Sequence, residues 1–132
     1  RGPFEAVVAF AQVLLDEGKT AYARHHLHRS LTVSPEHPRV LRMLALSYLQ
    51  PGAHFEPEYA INLATKACQA TGWCGIHEML VLAKSYALCG DKISALLIAS
   101  KAKEAGRNLL GVYPEVQSLD ELINNLSSGT QA

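Results

Sequence analysis

The sequence predicts an all-α fold, an α-solenoid of three stacked helix pairs closed by a C-terminal capping helix. Three observations carry that prediction. From Phe4 to Leu126 apolar residues recur at helical spacing, with none of the alternation a half-buried strand shows. Glycine and proline punctuate the chain between the periodic blocks. The blocks also repeat: AQVLLDEG (11–18), ALSYLQPG (45–52) and AKSYALCG (83–90) each set a small residue seven before a glycine and a large one, Leu14, Tyr48 or Tyr86, four before it. The glycines recur after 34 residues and then after 38, a period at which helix pairs stack because no pair buries its apolar face alone.

The first pair covers about residues 4–37, the second 38–75 and the third 76–109. In each, Ala11, Ala45 or Ala83 sits where the two helices cross, and a larger side chain there overpacks by ~1–3 kcal/mol. The second helices carry a ladder of small residues toward the next pair: Ala23 and Ser30, then Ala60, Ala64 and Ala67, then Ala95, Ala99 and Ala102. Leu27 and Leu31 fill the remaining space in the first pair, and Pro35 stops its second helix because the ring cannot continue it. Beyond Gly111 the pattern changes. YPEVQSLDELINNL has Pro114 near a helix start and Leu119, Leu122, Ile123 and Leu126 on one stripe, which predicts a capping helix over about 113–126. The opposite end differs, since FEAVVAFAQVLL is apolar almost all the way round. An upstream repeat or self-association through this helix is expected to cover it. The start Arg1-Gly2-Pro3, without methionine, reads as a fragment of a longer protein.

Ala11, Leu14, Gly18, Ala23, Leu27 and Pro35 stand at the small, large, turn, small, large and terminating positions of the tetratricopeptide repeat family, which the chain therefore resembles. The second repeat keeps Ala45, Tyr48 and Gly52 but adds three residues in AHFEPE and ends on Gly72 in place of proline; the third keeps Ala83, Tyr86, Gly90, Ala95 and Ala102, with Arg107 at the proline position. The family's aromatic early in the first helix is replaced by Val7, Leu41 and Met79. The resemblance implies a concave face lined by the first helices. Transferred position by position it comprises Glu5, Val8, Gln12 and Asp16, then Arg39, Arg42, Leu46 and Leu49, then His77, Leu80, Lys84 and Leu88. Val8, Leu46, Leu49 and Leu80 would form an apolar floor, and Arg42 with Lys84 would meet acidic side chains or a carboxylate. The family's clamp for chaperone C-terminal tails is absent, its positions holding Val8, Gln12, Met43, His77 and Val81.

Composition narrows the function. The chain has 132 residues, one domain, with twelve basic and twelve acidic side chains, so it lacks the basic footprint of a nucleic-acid binder. Three cysteines cannot all pair within one chain, which favours reduced thiols and the cytoplasm. No apolar run approaches the ~20 residues that insertion in a bilayer requires. Gly18-Lys19-Thr20 copies the end of a phosphate-binding loop, but the position of its first glycine is Val13, inside a helix. His25, His26 and His28 face outward beside Arg24 and Arg29, with no thiol or carboxylate to complete a zinc site. WCGIH (73–77) imitates a redox motif whose second cysteine is a histidine, and Cys74 precedes a helix whose dipole favours thiolate. No catalytic constellation stands out, and no cofactor is implied. The expected function is a non-catalytic protein-interaction scaffold holding a partner's peptide or helix in the concave face. The alternative is a structural solenoid segment or tail, since ALLIASKAKEAG is similar to tails of bacterial glycosyltransferase-like membrane proteins.

Overall fold

The computed structural model describes residues 2–110 and 116–127. Among them are seven helices and no strand: α1 (Gly2–Asp16), α2 (Thr20–Val33), α3 (Pro38–Ser47), α4 (Pro57–Ala70), α5 (Ile76–Leu88), α6 (Lys92–Leu110) and α7 (Val116–Ser127). They form two layers. α1, α3, α5 and α7 touch in succession, while α2 bridges α1 and α3, α4 bridges α3 and α5, and α6 bridges α5 and α7. The second helices do not pack on one another. Every hairpin thus rests on the first helix of the next, as repeat architectures do.

The small residues decide how closely this stack closes. Ala11, Ala45 and Ala83 of the first helices and Ala23, Ala60 and Ala95 of the second are all fully buried, and Leu27, Leu41, Met43, Leu44, Met79 and Leu82 fill the space around them. Such interiors are packed to crystal density, so alanine at a crossing is a shape requirement.

Helix ends follow from local chemistry. After α1, Gly18 at φ 78° lets its own N–H reach Leu15 O and the Lys19 N–H reach Leu14 O at 2.8 Å. Gly90 at φ 90° does the same after α5, with the Asp91 N–H on Tyr86 O at 2.9 Å. This left-handed closure satisfies carbonyls that the helix leaves open, and a Cβ there would be strained. α3 and α4 begin on Pro38 and Pro57, whose missing N–H is not needed in a first turn.

The second repeat departs from the spacing. α3 ends at Ser47, before Gly52, because Pro51, four residues on, has no N–H for the Ser47 carbonyl and its ring crowds it; Arg24 of α2 bonds that end instead, Nη2 donating to Ser47 O at 2.7 Å and Nε to Ser47 Oγ at 3.2 Å. The chain then loops to Glu56, whose N–H donates to Tyr48 O at 2.8 Å, before α4 starts. At the far end Leu119 and Leu126 of α7 are buried, and Asp120 pairs with Lys103 of α6. Gly111 and Pro114, with the expected beginning of the capping helix, lie outside the described residues.

Candidate functional site

The first-helix layer carries the residues assigned to partner binding, at different depths. Val8 (1% exposed), Leu49 and Leu80 are buried, and they support the layer from beneath. Leu46 is half-buried and Leu88 is 40% exposed, so these leucines supply its accessible apolar surface. Gln12 is half-buried and donates from Nε2 to Asp16 Oδ1 at 3.0 Å. Glu5 and Asp16 are exposed on α1, His77 and Lys84 on α5, and Arg39 is half-buried at the start of α3. The layer is therefore acidic along α1 and cationic across α3 and α5.

Arg42 is committed elsewhere. Its Nε donates to Glu78 Oε2 at 3.1 Å, joining α3 to α5, and Glu78 is only 8% exposed. Glu78 stands at the repeat position held by Ala6 and Val40, and a carboxylate at an otherwise apolar position was the available signal of this pair. A Cβ on Gly75 would fall inside contact distance of Glu78 Oε1, so the side chain folds back over the start of its own helix. Cys68 is buried nearby. Burial, then the Glu78 charge, push its thiol up to about 12. Cys74 is exposed, with its Sγ 3.6 Å from Gly72 O.

The histidine run turns to separate aromatic neighbours. His26 meets the Phe10 ring edge-on, with centroids 5.4 Å apart, and His25 meets His26. His28 Nε2 lies 3.0 Å from the Tyr48 hydroxyl, and Tyr48 stacks under the Arg24 guanidinium at 4.7 Å and against Tyr59. Burial and the Arg24 charge lower the His28 pKa; burial and neighbouring Tyr59 raise that of Tyr48. Sequence reasoning missed this joint between the first two repeats, because its members come from three helices. A groove of about 630 Å³ also lies between α2 and α4, lined by Leu31, Leu41, Tyr59 and Leu63.

Helical hairpins stacked in two layers, with small residues at each crossing, define a tetratricopeptide-like helical repeat. No family model matches the chain, and no curated protein matches it. Solved structures do. The type III secretion translocator chaperone SycD of Yersinia enterocolitica, in an alternative dimer, superposes with a TM-score of 0.82 at 12% identity, over 96% of this chain and 92% of that one. The TPR2B domain of yeast Sti1 in its pHsp70 complex gives 0.85 at 14% identity, over 96% and 97%. SycD with a peptide of the translocator YopD gives 0.77 at 13% identity, over 95% and 92%. Among the described residues no helix is long and apolar enough to cross a membrane.

Proposed function

We propose that the chain is a non-catalytic interaction scaffold that holds a partner's extended segment or helix against the layer of α1, α3 and α5. The observation that carries this reading is that Leu46 and Leu88 keep accessible apolar surface on first helices that also bear Arg39 and Lys84, which carry no ion pair among the described residues. Apolar surface and cations on one set of helices suit a segment that alternates apolar and acidic side chains. Similarity to folds solved with pHsp70 and with a YopD peptide supports it. The three cysteines are free thiols, in keeping with a reducing compartment such as the cytoplasm.

The test uses fluorescently labelled ten-residue peptides alternating leucine with glutamate or with lysine, followed by anisotropy. The glutamate series should bind, weaken with added salt, and lose about tenfold in affinity to the double variant Arg39→Glu/Lys84→Glu. Equal binding of both series, or a double variant that binds as the parent does, overturns the reading. Arg42 is unsuited to this test, because its loss strands the buried Glu78 carboxylate and disturbs folding.

A second reading, self-association through α1, is favoured by the exposure of Phe10 (50%) and Val13 (49%) on that helix. The SycD structure that is an alternative dimer lends it support from a related fold.

A further inference from the structure

The second hairpin carries a loop that the other two lack. Residues 17–19 join α1 to α2 and residues 89–91 join α5 to α6, but residues 48–56 join α3 to α4. The end of this longer loop is tied down, with the Phe55 N–H on Gly52 O at 3.2 Å and the Glu56 N–H on Tyr48 O at 2.8 Å. It walls one side of a hollow of about 600 Å³, whose other side is the end of α5 at Leu88 and Cys89. Phe55, Tyr59 and Leu88, at 39%, 36% and 40% exposure, keep apolar surface there. The charges at the hollow are of one sign. Glu56 and Glu58 line it, both are exposed, and neither has an ion pair among the described residues; no lysine, arginine or histidine lines it. α5 ends there with no basic residue in its last turn, so the negative end of its dipole is unmatched. The positive end of α4, about half an elementary charge, offsets only part of the two carboxylates. In the adjoining turn Asp91 and Lys92 cancel.

We infer that this hollow is a second binding site, opposite in charge to the cations of α3 and α5, which takes an arginine side chain of a partner segment together with a neighbouring apolar residue. Aromatic faces beside free carboxylates suit a guanidinium, whose plane lies on a ring while its edge donates to the acids. The chain sets a guanidinium on the same aromatic pair itself. Arg24 lies over Tyr48 at 4.7 Å, and Tyr59 meets Tyr48 edge-on with centroids 4.9 Å apart. Tyr48 is thus taken, whereas Tyr59 and Phe55 offer ring surface within the hollow. A lysine is drawn by the same charges but has no plane to stack, so the site should prefer arginine. Leu88 receives the apolar neighbour, which water would otherwise surround.

The test uses labelled five-residue peptides, capped at both ends, with a central arginine, lysine or citrulline between two leucines, and the whole chain. Citrulline keeps the shape of arginine without its charge. By anisotropy the arginine peptide should bind tightest, the lysine peptide about fivefold weaker and the citrulline peptide about tenfold weaker. Glu56→Gln/Glu58→Gln should cost the arginine peptide about tenfold. Folding should survive this change, because neither carboxylate is paired and Glu56 makes no side-chain cap on α4. Glu36→Gln/Glu104→Gln, which removes two exposed charges elsewhere, should leave the affinity unchanged. Saturating arginine peptide should also slow alkylation of half-buried Cys89 in the hollow but not of exposed Cys74, which precedes the other end of α5. Equal binding of all three peptides, equal losses in the two double variants, or binding that leaves Cys89 unprotected overturns the inference, as does no binding at all. None of these results touches the glutamate-peptide test of the helix layer, in which Glu56 and Glu58 take no part.

Discussion

Cys68 shows how one buried side chain records its surroundings. It is fully buried on α4, and both burial and the Glu78 carboxylate oppose a thiolate there. The unfolded chain has no such restraint, and its thiol titrates near an ordinary value of about 8.5. Between that value and about 12 the unfolded state has lost a proton that the folded state keeps. The unfolded state therefore binds fewer protons, and stability falls as pH rises, by at most about 1.4 kcal/mol per pH unit. Below about pH 8 both states hold the proton and the effect vanishes. Urea unfolding at pH 8, 9 and 10 should show the wild type losing more stability than Cys68→Ala over the last interval; parallel losses would refute a raised thiol. At ordinary pH the same burial leaves Cys68 neutral, so mild alkylation should label exposed Cys74 before it.

At the scale of elements, the pairing of helices was legible because it depends on small residues at fixed intervals. Ala11, Ala45 and Ala83, with the ladders of α2, α4 and α6, end up buried where the repeat pattern sets them. The end of α3 was legible only in part. Pro51, beside Gly52, has no N–H for the Ser47 carbonyl, but the group that bonds it instead, Arg24, stands 23 residues upstream. Depth in the candidate site was hidden for a related reason. Register says which residues a first helix turns toward the layer, but neighbouring helices decide that Leu80 is buried and Leu88 is not. Arg42 read as a free cation because its partner stands 36 residues later, on a different helix. The joint at α3 has a measurable consequence. Arg24→Ala removes a charged hydrogen bond to Ser47 O and the stack on Tyr48, and should cost about 2 kcal/mol in urea unfolding. Arg24→Lys should recover only part of it, since an ammonium cannot bond both Ser47 oxygens and lie flat on a ring. Full recovery by lysine would mean that charge alone matters at this helix end.

As a whole the described molecule is a stack with unlike ends. One end is closed, because α7 lays Leu119 and Leu126 against its neighbours α5 and α6. The other end leaves Phe10 and Val13 in solvent. Where each repeat touches only the next, stability is close to a sum of local and nearest-neighbour contributions, so damage at one end should fade toward the other. Leu119→Ala empties a fully buried site and should cost ~2–5 kcal/mol locally. Native-state hydrogen exchange reads where that loss is felt. Amides of α5 and α6, which α7 contacts directly, should lose the most protection, α3 and α4 less, and α1 and α2 least. An equal loss in every helix would mean that the stack opens only as a unit, and the additive picture would fall. A graded loss would mean that α7 steadies the repeats nearest to it and that α1 and α2 depend on it least.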